Sequence, residues 1–274
     1  MRVNGKTTIT GIIGWPVQHT LSPAMHNAAF EALSLDYCYV PFPVSPQDLK
    51  DAIGAIRALN IRGINVTVPH KETVIRYLDQ VDPGASFIGA VNTIVNTEGS
   101  LTGYNTDGKG FMQSLSENGI NLANKDILII GAGGAARAVG YALVQQVKSV
   151  SLFGRTKVRV QKLADDLHRI KNNALLCNDL SALAKYHMII NATPLGLKDD
   201  DPLPLDTSSL RPGQIVYDLI YKKTRLLDVA SGKGCIAFDG LGMLLWQGVS
   251  AFELWTGQKP DVDIMRNALL QAMQ

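Results

Sequence analysis

Cysteine is scarce in this chain, and its three residues make no pattern. Cys38, Cys177 and Cys235 are odd in number, scattered, and set in apolar or strand-like surroundings. Their spacing rules out a disulfide framework and gives no metal site, so they read as reduced packing residues of a cytoplasmic protein. Long hydrophobic runs are lacking too. No stretch approaches the length of a membrane-spanning helix, and the opening MRVNGKTTIT has no signal-peptide core. Charge of one sign is also absent. A net charge of +2, with 18 % charged residues, implies neither nucleic acid nor membrane as a partner. There is no low-complexity linker and no repeat at a fixed period.

What is present is a globular composition, 46 % apolar over 274 residues, enough for one large domain or two ordinary ones. Strands alternate with helices from end to end. TTITGIIG predicts a strand and SPAMHNAAFEAL a helix entered through Ser22 and Pro23. YCYVPFPV predicts a strand, and SPQDLKDAIGAIRAL a helix capped by Ser45 with Pro46 at its first position. INVTVP is a third strand, followed by a helical run, ETVIRYLDQ. Two short runs around Val91–Val95 and Leu101–Tyr104 flank a turn and suggest a hairpin. A helix from about Asp107 ends at Gly119. The pattern then restarts with DILIIGAGG, AARAVGYALVQQ, VSLFG, TKVRVQKLADDLHRI (with Thr156 as a plausible cap), ALLCND, HMIINATP, QIVYDLIY and CIAFDG. Two helices close the chain. Near-continuous apolar strands between helices imply an α/β fold with parallel sheets covered on both faces. The restart near residue 120 argues for two domains whose boundaries fall inside helices.

ILIIGAGGAARAVG carries Gly131, Gly133 and Ala136 in G-x-G-x-x-A spacing, after a buried strand and at the opening of a helix. That context predicts a dinucleotide cradle. Gly131 makes the tight turn, Gly133 lets a pyrophosphate approach, and small Ala136 permits close helix–strand packing at a helix N-terminus facing the anion. An NAD site wants an acid about 20 residues on, for the ribose 2′-hydroxyl. Residues 149 to 164 hold no acid and instead offer Arg155, Thr156, Lys157 and Arg159. Guanidinium groups bind a 2′-phosphate through charge-assisted hydrogen bonds, so the expected cofactor is NADP.

A second set of polar residues gathers at strand ends of the first half: Thr20 and Ser22 in HTLSP, Asn65, Thr67 and Lys71 in NVTVPHK, Asn92 in AVNT, and Asn105 and Asp107 in NTDG. These are mostly neutral donors and acceptors, suited to a polyhydroxylated ring. Lys71 is the odd member, since a lysine ordinarily points at water. Asn92 and Thr67 have an alternative use in satisfying backbone groups at strand ends. On the residues alone, Gln247 reads as a buried structural amide and Tyr221 as a core residue. His19, His26 and His70 read as framework.

The motifs GWPVQHTLSPAMHN, GINVTVPHK, GAVNT, GYNTDG, GAGGAARA, GRTKVR, INATPLG, YDLIY and DGLGMLLWQ run in this order over nearly the whole chain. In them the chain resembles the shikimate dehydrogenase family. The resemblance implies NADPH-dependent reduction of 3-dehydroshikimate to shikimate, on the route to chorismate and the aromatic amino acids. With the boundaries that the strand–helix pattern places near Asp107 and Gly242, this gives a substrate-binding, catalytic domain of mixed or parallel sheet over residues 1–107, rejoined by 243–274, and a Rossmann-like NADP-binding domain over 108–242. Lys71 and Asp107 would be the catalytic pair. Thr20, Ser22, Thr67, Asn92, Tyr221 and Gln247 would line the substrate together with that pair. Gly131, Gly133, Gly134, Ala135, Arg155, Thr156 and Arg159 would hold NADP, with Thr193, Gly240 and Met243 near the nicotinamide. The partner would be a small molecule; monomer and homodimer both stay open. One departure is Thr20, where the family usually has serine, which leaves discrimination against quinate open. A quinate- or NAD-using relative and a dinucleotide sensor without turnover are the competing readings. A pure binder, however, has no need of a proton donor at Lys71.

Overall fold

A computed structural model describes residues 3–274. Met1 and Arg2, the start of the expected first domain and of the opening expected to lack a signal core, lie outside the described residues. The chain divides into two compact units, 1–110 with 245–274, and 111–244. The divisions fall slightly later than the expected 107/108 and 242/243.

The first unit holds β1 (Thr8–Gly14), α1 (Ser22–Ala32), β2 (Tyr37–Pro43), α2 (Leu49–Ala58), β3 (Gly63–Val66), β4 (Gln80–Val81), α3 (Pro83–Ile88), β5 (Thr93–Thr97) and β6 (Ser100–Tyr104). Its sheet runs β2-β1-β3-β5-β6-β4. β1 is parallel to β2 and β3, whereas β5 is antiparallel to both β3 and its hairpin partner β6. The sheet is therefore mixed, because the hairpin is inserted beside β3. Leu49, Ile53 and Ile56 lie four and three residues apart on α2, so one helix face is buried. They join Ile13, Ile64, Val74, Ile94 and Leu101 in the core. Two expectations fail here. The run after Lys71 is a short 3-10 turn, Thr73–Tyr77, and not an α-helix. The chain must turn back at once, since Asp79 N–H already bonds Leu101 O in the sheet at 3.0 Å. Ser45 does not cap α2. Its hydroxyl is held by the Asp48 carboxylate at 2.6 Å, and the helix begins only after Asp48.

After α4 (Asp107–Glu117) the second unit builds β7 (Asp126–Ile130), α5 (Gly134–Val144), β8 (Ser149–Phe153), α6 (Lys157–His168), β9 (Ala174–Leu176), β10 (Met188–Asn191), β11 (Ile215–Asp218), α7 (Arg225–Gly232) and β12 (Ile236–Phe238). All six strands are parallel, in the order β12-β11-β10-β7-β8-β9. This is a doubly wound sheet whose winding reverses between β7 and β10, where such sheets bind ligands beyond the carboxyl ends of their strands. β7 and β10 are buried almost throughout, as strands covered on both faces must be. Thr156 stands at the cap position of α6 but makes no side-chain cap bond. The last helices are α8 (Leu241–Thr256) and α9 (Val262–Ala272), and α9 packs on α1. The three cysteines are free and buried.

Candidate active site

Lys71 follows a short, tightly pinned exit from β3. Thr67 N–H bonds Ile13 O at 3.0 Å, and His70 N–H bonds Thr67 O at 2.9 Å. The buried His70 ring places Nε2 2.7 Å from Val44 O. Lys71's own carbonyl accepts from Val91 N–H at 2.8 Å. The lysine stem therefore starts from fixed backbone. Its Nζ lies 2.6 Å from Asp107 Oδ2, with the two side chains only 22 % and 6 % exposed. Lys71 is thus a partly buried, ion-paired lysine. Asp107 opens α4 and is anchored through its N–H to Asn105 Oδ1 at 3.1 Å, while Asn105 bonds Ala90 O at 2.9 Å.

Asn92 is the hub. Its Nδ2 reaches Asp107 Oδ1 (2.8 Å), Thr106 Oγ1 (2.9 Å) and Gln247 Oε1 (3.5 Å), and its Oδ1 accepts from Thr106 N–H at 2.8 Å. A second arm runs the other way. Asn65 Nδ2 donates to Asn92 O and Thr93 Oγ1 at 3.2 and 3.1 Å, and Asn65 Oδ1 accepts from the Tyr39 hydroxyl at 2.8 Å. Burial pushes the Tyr39 phenol far up, against a hydrogen bond from Ser22, so Tyr39 acts as a neutral donor. Buried Ser22 is in turn close to Thr20, whose Oγ1 accepts the Ser22 N–H at 3.3 Å. The Thr67 hydroxyl makes no hydrogen bond among the described residues. The first unit thus connects Ser22, Asn92, Asp107, Lys71 and Gln247 in one polar layer, with Thr20 and Thr67 beside it. Tyr221 belongs to the second unit, on the strap after β11, and is partly exposed.

In the second unit β7 runs into Gly131, whose φ of 120° suits glycine and whose Cβ would stand 2.7 Å from Ala192 O. Gly133 occupies the N-cap of α5, where no side chain closes the helix end, and a Cβ added there would meet nothing within 4 Å. Gly134 and Ala135 follow in the first turn, and Ala136 is fully buried, as close helix packing requires. Arg155 and Thr156 follow β8 and Arg159 stands in the first turn of α6; all three are exposed, and neither arginine has an ion-pair partner among the described residues. Open helix N–H groups, room above Gly133 and two unpaired guanidiniums fit a 2′-phosphorylated dinucleotide. Thr193 lies beyond β10, Gly240 at the head of α8, and Met243 buried in the first turn of that helix. No group of three or more metal-ligating side chains occurs among the described residues.

Tyr39, Thr93, Thr106 and Asn191 were not singled out from the sequence. Thr106 carried a signal, since it sits between Asn105 and Asp107. Tyr39 alternates with apolar residues in β2, and nothing in that pattern distinguishes it from core.

The doubly wound sheet, its glycine cradle and a polar lysine–aspartate layer define a protein of the dinucleotide-dependent dehydrogenase type. Residues 12–94 match the family described as shikimate dehydrogenase substrate binding domain, 113–195 that of shikimate / quinate 5-dehydrogenase, and 240–270 the shikimate 5'-dehydrogenase C-terminal domain. The shikimate dehydrogenase (NADP(+)) of Carboxydothermus hydrogenoformans is 46 % identical, over 98 % of this chain and 99 % of the relative. A crystal structure of a shikimate dehydrogenase in complex with NADP+ superposes with a TM-score of 0.94 at 40 % identity, covering 100 % of this chain and 98 % of that one. The Thermus thermophilus shikimate 5-dehydrogenase in complex with NADP(H) and shikimate gives a TM-score of 0.90 at 37 % identity, covering 97 % of this chain and 100 % of that one. The chain belongs to the shikimate dehydrogenase family.

Proposed function

We propose that this chain is an NADP-dependent shikimate dehydrogenase, reducing 3-dehydroshikimate to shikimate on the route to chorismate and the aromatic amino acids. The observation that carries the reading is the 2.6 Å contact of Lys71 with Asp107 inside a layer of neutral hydrogen-bonding side chains. When bound, the reduced nicotinamide supplies the hydride. Negative charge then grows on the ketone oxygen, and the Lys71 ammonium stabilises it and donates the proton. Asp107 holds that ammonium in one place, and Asn92 holds Asp107. Lys71 is reprotonated from solvent, which its partly exposed side chain reaches. Thr20 and Ser22, at the start of α1, suit the substrate carboxylate, because an anion is favoured at a helix N-terminus. Thr67, Asn92 and Gln247 would supply the polar contacts for the ring hydroxyls. Gly131, Gly133, Gly134 and Ala135 would cradle the pyrophosphate, Arg155, Thr156 and Arg159 would hold the 2′-phosphate, and Thr193, Gly240 and Met243 would flank the nicotinamide. The domain roles follow, with substrate on the first unit and dinucleotide on the second. A cytoplasmic location accompanies this reading, and no helix among the described residues is long and apolar enough to cross a membrane.

The test is absorbance at 340 nm with shikimate and with quinate, each with NADP and NAD. Turnover of shikimate with NADP at the highest kcat/KM is expected. A preference for quinate or NAD would move the chain to the neighbouring activity, and no turnover with any pair would leave a binder only.

A further inference from the structure

Two fully buried polar side chains of the second unit take no part in the chemistry above. Asn191 ends β10 and Asp218 ends β11, both at 0 % exposure. They are register partners on neighbouring parallel strands, and Asn191 Nδ2 donates to Asp218 Oδ1 at 3.0 Å. Each then ties down the segment that follows it. Asn191 Oδ1 accepts from Thr193 N–H (3.1 Å) and Thr193 Oγ1 (2.7 Å), while its Nδ2 also bonds Leu195 O at 3.1 Å. Asp218 accepts from Ile220 N–H (3.2 Å) and from Thr224 Oγ1 (2.8 Å).

The tied segments abut two others. The loop after β10 lies flush against the phosphate turn, since a Cβ on Gly131 would be 2.7 Å from Ala192 O and 3.4 Å from Thr193 Cγ2. The strap after β11 lies flush against Gly240, whose Cβ would be 2.2 Å from Leu219 O and whose N–H bonds Ile220 O at 3.0 Å. Arg155 fixes where a 2′-phosphate goes, beyond β8. With the pyrophosphate over the β7 turn, the other half of the dinucleotide extends over β10 and β11.

We propose that Asn191 and Asp218 form a brace that positions the nicotinamide half of NADP, by locking the loop bearing Thr193 and the strap bearing Tyr221 to the ends of adjacent strands. The proposal rests on the dinucleotide reading above. An apolar pair would hold the sheet at least as well, because burying a carboxylate is costly even when it is bonded. What an apolar pair lacks is donors and acceptors to fix two loops at once. Both residues are positioning residues, acting through the backbone they hold.

The test compares binding of adenosine 2′,5′-bisphosphate, which reports the 2′-phosphate end alone, with kcat on shikimate and NADP. Asp218→Asn keeps the shape and removes one acceptor. Its affinity for the bisphosphate should stay within about twofold of wild type, while kcat falls at least about tenfold, as expected when reacting atoms lose their alignment. Thr224→Val should show the same split and Thr224→Ser should restore kcat, which keeps the test open if Asp218→Asn does not fold. Unchanged kcat in the folded variants overturns the brace. So does parallel loss of kcat and bisphosphate affinity, which marks a role in the fold of the whole unit. Wild-type protein that binds no bisphosphate refutes the dinucleotide reading, and the brace with it.

Discussion

A lysine in contact with a carboxylate has two competing meanings, a structural ion pair and a poised proton donor. Its neighbours decide between them. Asp107 is already bonded by Asn92, so the carboxylate does not need Lys71 to be satisfied. Lys71→Met should therefore fold, with some loss of stability because Asp107 loses its counter-charge. NADP binding should be unchanged, and kcat should drop at least about 100-fold, the lower end of general acid catalysis. Asp107→Asn should also lose rate. The double variant should be little worse than the worse single one, since residues acting as a unit are not additive. Steady-state kinetics on the four proteins checks this, and independent losses would break the pairing. Arg155 is the other decisive residue. A charge-assisted hydrogen bond contributes about 1.5–3 kcal/mol, so Arg155→Ala should raise KM for NADP about tenfold or more. KM for NAD should hardly move, and equal effects on both cofactors would make the arginine structural. Lys71 stood out because a lysine is unusual at a strand exit, whereas its pairing with Asp107, seen at 2.6 Å, was implied only by the resemblance. Tyr39 and Asn65 were not legible as a bonded pair. Their contact joins β2 to β3 across 26 positions of sequence, and no local pattern encodes it.

At the scale of elements, most strands and helices followed from apolar runs and their periods. The failures are where a distant partner overrides a local signal. The 3-10 turn after Lys71 is helical by composition, yet sheet pairing at Asp79 cuts it short. The mixed order of the first sheet depends on which strand accepts the β5–β6 hairpin, and strand composition does not carry that choice. Two glycines put the same contrast in numbers. Gly63 in β3 faces Trp255, and a Cβ there would be 2.1 Å from Nε1, the atom that donates to Ile94 O at 3.0 Å. Gly54 in α2 has nothing within 4 Å. Replacing a glycine inside an element by alanine gains roughly 0.5–1 kcal/mol, whereas overpacking costs about 1–3 kcal/mol. Gly54→Ala should therefore raise the denaturation midpoint and Gly63→Ala should lower it. Urea titration of both variants checks the pair, and a shift in the same direction for both would show that intrinsic propensity outweighs packing here.

For the molecule as a whole, the restart of the strand–helix pattern already pointed to two units, and the tryptophans make one of them separately observable. Trp15, Trp246 and Trp255 all fall in the first unit, so tryptophan fluorescence follows its unfolding alone. One buried histidine of that unit should make it sensitive to acid. His26 is fully buried, stacked on Tyr39 with centroids 4.4 Å apart and tilted on Trp255 at 5.2 Å. Neither ring nitrogen has a hydrogen-bond partner among the described residues. Burial lowers its pKa from 6.5 to about 3. The unfolded chain therefore binds a proton near pH 6.5 that the folded unit refuses until about pH 3. Stability rises with pH wherever the unfolded state holds more protons, so His26 makes the unit progressively less stable as pH falls through that window. Between pH 8 and pH 5 the linkage amounts to roughly 2 kcal/mol. His26→Phe keeps a ring in the stack and removes the titrating nitrogens. The fluorescence-monitored stability of the variant should fall by about 2 kcal/mol less than that of the wild type between those two pH values, whatever its stability at pH 8. Parallel pH profiles for the two proteins would mean that His26 takes up its proton at the same pH in the folded and unfolded states, so that its burial adds no acid sensitivity.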